Sequence, residues 1–133
     1  MQNVVSEVKD ISAASFDKEV LRSEEPIVVE FFSHSCPHCI KFAPVYEELA
    51  HALHGDAKFL RIDVLSSTNN RSLAHRRGVR TVPTIEVFYQ GRVIGNVVGF
   101  HLFEKVRDAI KGFLVKKEEN VGPSTPLEHL TAR

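Results

Sequence analysis

A Cys-x-x-Cys motif between a buried strand and a helix is the feature that most limits how this chain can fold. Residues 27–32 form a short β-branched and aromatic run, which is typical of a strand buried on both faces. Cys36-Pro37-His38-Cys39 follows and opens a segment whose apolar residues have helical spacing. These are the only two cysteines, so an intramolecular disulfide would close a very short loop and add little stability. The pair is therefore interpreted as reactive.

The position of the motif at a helix start favours thiolate chemistry. A cysteine in the first turn faces unsatisfied N–H groups and the positive end of the helix dipole, which favour the thiolate of Cys36. Pro37 suits the first helical position, where its missing N–H would have no partner. Cys39 lies one turn further on the same face, where it can resolve a mixed disulfide formed at Cys36. His38, when protonated, is expected to stabilise that thiolate, and His34 is a weaker candidate for the same effect.

Metal binding is the main alternative, because Cys36, Cys39, His34 and His38 are all potential ligands. Zinc sites usually draw a second pair of ligands from elsewhere in the chain. The remaining histidines show neither H-x-x-x-H spacing nor a second C-x-x-C: His51, His54, His75, His101 and His129. We therefore predict redox chemistry without a metal or an organic cofactor. A metal-binding pair and an inert buried pair remain the alternatives.

The composition fits one compact domain with an adequate core, since the chain has 133 residues and is 43% hydrophobic. With 17 basic and 17 acidic residues the formal net charge is zero, so nucleic acid and anionic membranes are not predicted partners. No apolar stretch approaches a membrane span, and the first residues lack signal-peptide features. We expect a cytoplasmic monomer. The alternative is an organelle, the ER lumen or the periplasm, if Met1 is an expression start before a mature domain.

Strand and helix signals alternate along the chain. Strands are predicted at residues 4–8, 27–32, 59–64, 84–89 and 93–98, the last two joined as a hairpin at Gln90-Gly91. Helices are predicted over residues 12–22, from Cys36 to Gly55 with a kink at Pro44, over residues 69–77, and after Gly99. The domain is predicted to span residues 1–115. Residues 116–133 read as a flexible polar tail, because they hold a Gly-Pro-Ser-Thr-Pro run and few large apolar groups.

Several motifs beyond the cysteine pair have the order and spacing of one known family. They are Ser15-Phe16-Asp17, Val29-Glu30-Phe31, Pro44, Thr81-Val82-Pro83-Thr84, Gln90-Gly91 and Val98-Gly99. Over residues 5–114 the chain resembles the thioredoxin superfamily, and its Glu-Phe-Phe and Cys-Ile-Lys-Phe-Ala-Pro stretches look most like protein disulfide isomerase domains. The resemblance implies an α/β thioredoxin fold, with a central mixed sheet of about five strands flanked by about four helices.

The resemblance also implies roles for residues outside the motif. Pro83 matches the family's cis-proline, which lies opposite the cysteines and leaves the Val82 backbone free to pair with an extended substrate. Pro37, Val82 and Pro83 are therefore expected to contact substrate. Glu30 matches the buried acid that accepts and returns the proton of Cys39, and burial among apolar neighbours is expected to raise its pKa. Without the resemblance, Pro83 would be read as a trans turn residue and Glu30 as a solvent-facing strand residue.

The function implied is a thiol–disulfide oxidoreductase that acts on protein thiols and disulfides with an upstream redox partner. Cys36 attacks, Cys39 resolves, and His38 and Glu30 assist. Pro37-His38 replaces the more usual Gly-Pro or Gly-His and matches the bacterial periplasmic oxidase, so we expect a more oxidising pair than that of thioredoxin. Ser35 replaces the usual Trp, which removes part of the apolar contact surface. The alternative function is a non-catalytic peptide-binding module.

One local concentration of charge precedes the Pro83 loop. It consists of Arg71, His75, Arg76, Arg77 and Arg80. The simplest interpretation is a solvated helix face. The functional alternatives are that these residues steer acidic partners to the substrate groove, or that one arginine tunes proton transfer between Glu30 and Cys39.

Overall fold

A computed structural model describes residues 6–120 and shows one five-stranded mixed sheet in the order β1-β3-β2-β4-β5. The strands are β1 Val8–Asp10, β2 Ile27–Phe32, β3 Lys58–Asp63, β4 Thr84–Tyr89 and β5 Arg92–Val98. The helices are α1 Ala13–Phe16, which continues as a wider π-helical turn over Asp17–Leu21, α2 Pro37–Ala52, α3 Thr68–Arg76, α4 Phe103–Val115 and α5 Lys117–Asn120. The predicted α/β thioredoxin fold with a central five-stranded sheet is confirmed.

Strand β2 lies in the middle of the sheet. It pairs in parallel with β3 and antiparallel with β4, and all six of its residues are buried. Burial on both faces explains the continuous apolar run in the sequence. Side chains alternate between the faces of a strand, so Val28 and Glu30 face the same side of the sheet.

Two apolar clusters cover the two faces of the sheet. One joins Val28 to residues of α2 and α4, including Phe42, Leu49 and Ile110. The other joins residues 29 and 31 of β2 to α1 and α3. Tyr46 connects α2 to the sheet, since its hydroxyl lies 3.1 Å from the carbonyl oxygen of Val28 and 2.7 Å from that of Leu60. The helix that carries the cysteines is thereby fixed over the face on which Glu30 lies.

The predicted first strand was misplaced. It was expected at residues 4–8, whereas β1 covers Val8–Asp10 and residues 4 and 5 lie outside the described part of the chain. Backbone pairing with β3 defines this strand, because Lys9 and Asp10 are exposed and register with Leu60 and Arg61. An edge strand held mainly by backbone hydrogen bonds has no apolar run to reveal it.

The segment predicted as a polar tail begins with a short helix, α5. The Tyr89 hydroxyl of β4 donates to Glu118 at 3.3 Å, and the Lys117 ammonium lies 5.6 Å from the Tyr89 ring centre. Residues 117 and 118 therefore contact the sheet, and residues 121–133 lie outside the described residues. Over the described range, no helix combines the length and apolar character needed to cross a bilayer.

The contact between Gly95 of β5 and Phe113 of α4 yields a stability prediction. A Cβ at position 95 would stand closer to the Phe113 ring than atoms approach, so in Gly95→Ala the Phe113 ring or the helix that carries it must shift. We expect the free energy of unfolding to fall by about 1–3 kcal/mol in urea denaturation. Gly112→Ala is the matched control, since its Cβ meets nothing within 4 Å and alanine favours helix. Equal losses for both variants would contradict the packing described.

Candidate active site

The two cysteines are free thiols at the start of α2. Cys36 is the N-cap residue, Pro37 is the first helical residue, and the Cys36 Sγ accepts a hydrogen bond from the backbone N–H of Cys39 at 3.2 Å. Cys36 is half-buried, whereas Cys39 is only 3% exposed. The motif therefore presents one accessible sulfur atom and shelters the other.

The Pro83 loop lies against the accessible thiol. The Val82–Pro83 peptide bond is cis, as the resemblance implied. The Cys36 thiol donates to the Val82 carbonyl oxygen at 3.6 Å, and the Pro83 carbonyl accepts from the Gly99 N–H at 2.8 Å. Cys36 and the Val82–Pro83 peptide, which are far apart in sequence, thus meet at one end of the sheet.

Glu30 and Cys39 line the same cavity of about 150 Å³. Glu30 is 2% exposed, and its burial raises the pKa to about 7, although the positive charge of Arg61 acts in the opposite direction. Ser33, His34 and Ile40 also line the cavity. A carboxyl group that titrates near neutral pH therefore stands in the same enclosure as the sheltered thiol.

The thiol of Cys39 holds its proton strongly. Burial, followed by the hydrogen bond to Cys36, raises the pKa of Cys39 to about 12, and the charge of Glu30 adds to the increase. A hydrogen bond from the Ser33 backbone acts in the opposite direction. At neutral pH Cys39 is therefore protonated, and it needs a base before it can act as a nucleophile.

Arg61 is a site residue that the sequence analysis missed. The parallel register of β2 and β3 sets Arg61 opposite Glu30, and Arg61 lines the Glu30 cavity. Its Nε lies 2.6 Å from a carboxylate oxygen of Asp10, and its guanidinium lies 4.8 Å from the Phe32 ring centre. A charged residue between Leu60 and Ile62 was the available signal. The arginine beside Glu30 is thus Arg61 and not a member of the basic cluster.

The histidines of the motif region lie on the surface. His38 is exposed in the first turn of α2, while His34 Nε2 lies 3.4 Å from a carboxylate oxygen of Asp63. Ser35 hydrogen-bonds to the buried Ser33, with 3.0 Å between their hydroxyl oxygens. From residue 6 to residue 120, no group of three or more His, Cys, Asp and Glu side chains is placed to hold a metal ion.

The basic cluster divides into two parts. Arg77 pairs with the carboxylate of Glu86 at 3.0 Å and lies 5.1 Å from the Phe88 ring centre, and Arg76 donates to the Ser72 hydroxyl. Arg71, His75 and Arg80 instead line a second cavity, which Val82 also borders. Two members therefore have local structural contacts, and three face the side of the Pro83 loop.

The raised pKa of Glu30 predicts a specific dependence of stability on pH. Between the ordinary value of 4.5 and about 7, the folded chain holds the Glu30 proton more firmly than the unfolded chain, so rising pH favours unfolding. Relative to Glu30→Gln, the wild-type free energy of unfolding should fall by about 3 kcal/mol across this window and then level off. Urea denaturation from pH 4 to pH 8 measures it.

The exposed Glu48 supplies the matched control for this measurement. Glu48→Gln should show the wild-type pH dependence, because its carboxyl group is in solvent in both states. A Glu30→Gln variant that loses stability with pH in parallel with the wild type would contradict the assignment.

Comparisons with known proteins agree with this geometry. The thioredoxin family model matches residues 7–112. Thioredoxin from Synechocystis is 34% identical over 95 residues, which cover 71% of this chain and 86% of that protein. The protein disulfide-isomerase erp38 of Neurospora crassa is 42% identical over 83 residues, which cover 62% of this chain and 22% of that protein. This chain therefore spans about a fifth of the length of the isomerase.

Chloroplast relatives are also similar to this chain. Thioredoxin M4 of Arabidopsis thaliana is 33% identical over 110 residues, 83% of this chain and 55% of that protein, so this chain spans about half its length. The crystal structure of the short form of spinach chloroplast thioredoxin f superposes with a TM-score of 0.71 at 31% identity, covering 85% of this chain and 98% of that one. The chain belongs to the thioredoxin family.

Proposed function

We propose that the protein exchanges thiols and disulfides with protein substrates through Cys36 and Cys39, and that an upstream redox partner restores the pair. The observation that carries the proposal is the dithiol at the start of α2, where the Cys39 N–H points at the accessible sulfur of Cys36. This donor remains when the thiol proton leaves. Together with the positive end of the helix dipole it favours a negatively charged sulfur.

The exchange takes place in two steps. In the reducing direction, the Cys36 thiolate attacks one sulfur of a substrate disulfide, the substrate S–S bond breaks, and the other substrate sulfur leaves as a thiolate and takes up a proton. Cys39 then loses its proton and attacks Cys36 Sγ, which forms the Cys36–Cys39 disulfide and releases the second substrate sulfur. The substrate gains two electrons and two protons. The reverse sequence oxidises a substrate dithiol.

Glu30 is proposed as the base for the second step. The Cys39 thiol, with its pKa near 12, needs a proton acceptor, and Glu30, with a pKa of about 7, is partly ionised at neutral pH. Both groups line one cavity of about 150 Å³, which is large enough for water to link them. Arg61 in the same enclosure favours the ionised form of Glu30.

A higher redox potential than that of thioredoxin is the second part of the proposal. His38 is exposed in the first turn of α2, next to Pro37 and two residues beyond Cys36. When protonated, its ring adds positive charge beside the thiolate. This charge stabilises the reduced pair, which makes the disulfide a stronger oxidant.

Insulin reduction by dithiothreitol tests the exchange chemistry. The wild type should accelerate the reaction, and Cys36→Ser should return it to the uncatalysed rate because the attacking sulfur is absent. Cys39→Ser should instead accumulate a mixed disulfide with insulin, detectable by mass spectrometry, because the resolving sulfur is absent. Acceleration that persists in Cys36→Ser would refute the mechanism, and binding without acceleration by the wild type would favour the peptide-binding module.

Equilibration with glutathione buffers tests the predicted potential. We expect a value above the roughly −270 mV of thioredoxin and no higher than the roughly −120 mV of the strongest oxidase of this fold. His38→Ala should lower it, because the positive charge beside Cys36 is lost. His54→Ala, in the turn that follows the C-terminal end of α2, is the matched control and should leave it unchanged. A wild-type potential at or below the thioredoxin level would overturn this part of the proposal.

A further inference from the structure

A second cavity lies next to the reactive site. Its volume is about 310 Å³, and it is bordered by Ser33 and Val82 on the side of the thiols. Val82 is the residue whose carbonyl oxygen lies 3.6 Å from Cys36 Sγ. We call this cavity the basic groove, defined by Ser33, Leu65, Arg71, His75, Arg80 and Val82. Val82 therefore borders both the reactive thiol and the basic groove.

All the titratable side chains that line the basic groove are basic. Three of its lining residues are Arg71, His75 and Arg80, all exposed, and the remaining described residues around it are apolar or serine, with no carboxylate among them. Arg77, only three residues from Arg80, is neutralised by Glu86. Among the ion pairs formed within residues 6–120, none includes Arg71 or Arg80. Their guanidinium groups are therefore available to a partner.

The attraction exerted by this groove is local. The chain as a whole has a formal net charge of zero, so no global field draws an acidic protein towards it. At physiological ionic strength exposed charges act over about 8 Å, which confines the effect of Arg71 and Arg80 to groups beside the groove. We therefore expect Arg71 and Arg80 to distinguish substrates by the side chains close to the reactive sulfur.

We propose that the basic groove selects protein substrates that carry Asp or Glu side chains within a few residues of the reactive cysteine. This rests on the proposed thiol–disulfide exchange and adds a substrate class to it. A guanidinium binds a carboxylate with two parallel hydrogen bonds, which fixes orientation as well as attracting charge. The apolar lining, including Val79 and Leu65, packs against the aliphatic part of the substrate segment.

A matched pair of synthetic peptides tests the selection. Both contain one disulfide and are identical except for Asp or Asn at positions up to four residues on either side of the reactive cysteine. The measurement is kcat/KM for reduction by the protein, with dithiothreitol as the electron source. At low salt the Asp peptide should react about fivefold faster, which is the effect of one to two exposed ion pairs. In about 0.5 M NaCl the ratio should approach one, because salt screens exposed charges.

Variants locate the effect in the groove. The double variant Arg71→Gln/Arg80→Gln should bring the Asp-to-Asn ratio close to one, and each single variant should lower it in part. Arg76→Gln, on the same helix but with its guanidinium on the Ser72 hydroxyl, should keep the wild-type ratio. A variant that failed to fold would reduce neither the Asp peptide nor the Asn peptide. A ratio that changes while the Asn peptide is still reduced therefore reports selection and not stability.

The outcomes distinguish the two levels of the proposal. Equal wild-type rates for the Asp and Asn peptides at low salt would overturn the selection while leaving the exchange chemistry intact. A preference that survives in Arg71→Gln/Arg80→Gln would also overturn it. If the wild type reduced neither peptide and did not accelerate insulin reduction, the proposed function itself would fail.

Discussion

The burial of the central strand β2 is the constraint on which the rest of the site depends. Its six side chains are excluded from water, which fixes the strand in the sheet and sends the chain through a short loop directly to the start of α2. Tyr46 holds that helix over the same strand through the carbonyl oxygens of Val28 and Leu60. The cysteines are thus placed above Glu30 by core packing, and the local sequence of the motif supplies only the chemistry.

The same burial determines the pKa values of Glu30 and Cys39. Water is largely excluded from Glu30 and Cys39, so the neutral form of each is favoured and both pKa values are raised. Their starting values differ, so the carboxyl titrates near neutrality while the thiol does not. One desolvating environment therefore sets the pKa values of both groups between which we propose a proton transfer. Arg61, tied to Asp10, limits the increase at Glu30.

Features determined by local chemistry were predictable from the sequence, and features determined by register were not. The β2 run, the N-cap position of Cys36 and the hairpin at Gln90-Gly91 follow from apolar patterning and turn chemistry. The resemblance supplied the cis bond before Pro83. Arg61 was missed because its role requires the pairing of β2 with β3. The edge strand β1 was misplaced because backbone pairing is the main interaction that defines it.

The surface around Cys36 lacks a large apolar side chain at position 35 and carries exposed positive charge in the basic groove. Ser35 places a small polar side chain immediately before Cys36, and its hydroxyl is held by Ser33 at the base of the loop. Less apolar area beside Cys36 means less non-selective attraction for exposed cysteine-containing segments. Discrimination then depends more on the neighbouring groove, where Arg71 and Arg80 face solvent next to Val82. In this arrangement Cys36 and Cys39 carry the exchange chemistry, and the residues beside them set the balance between apolar contact and charge.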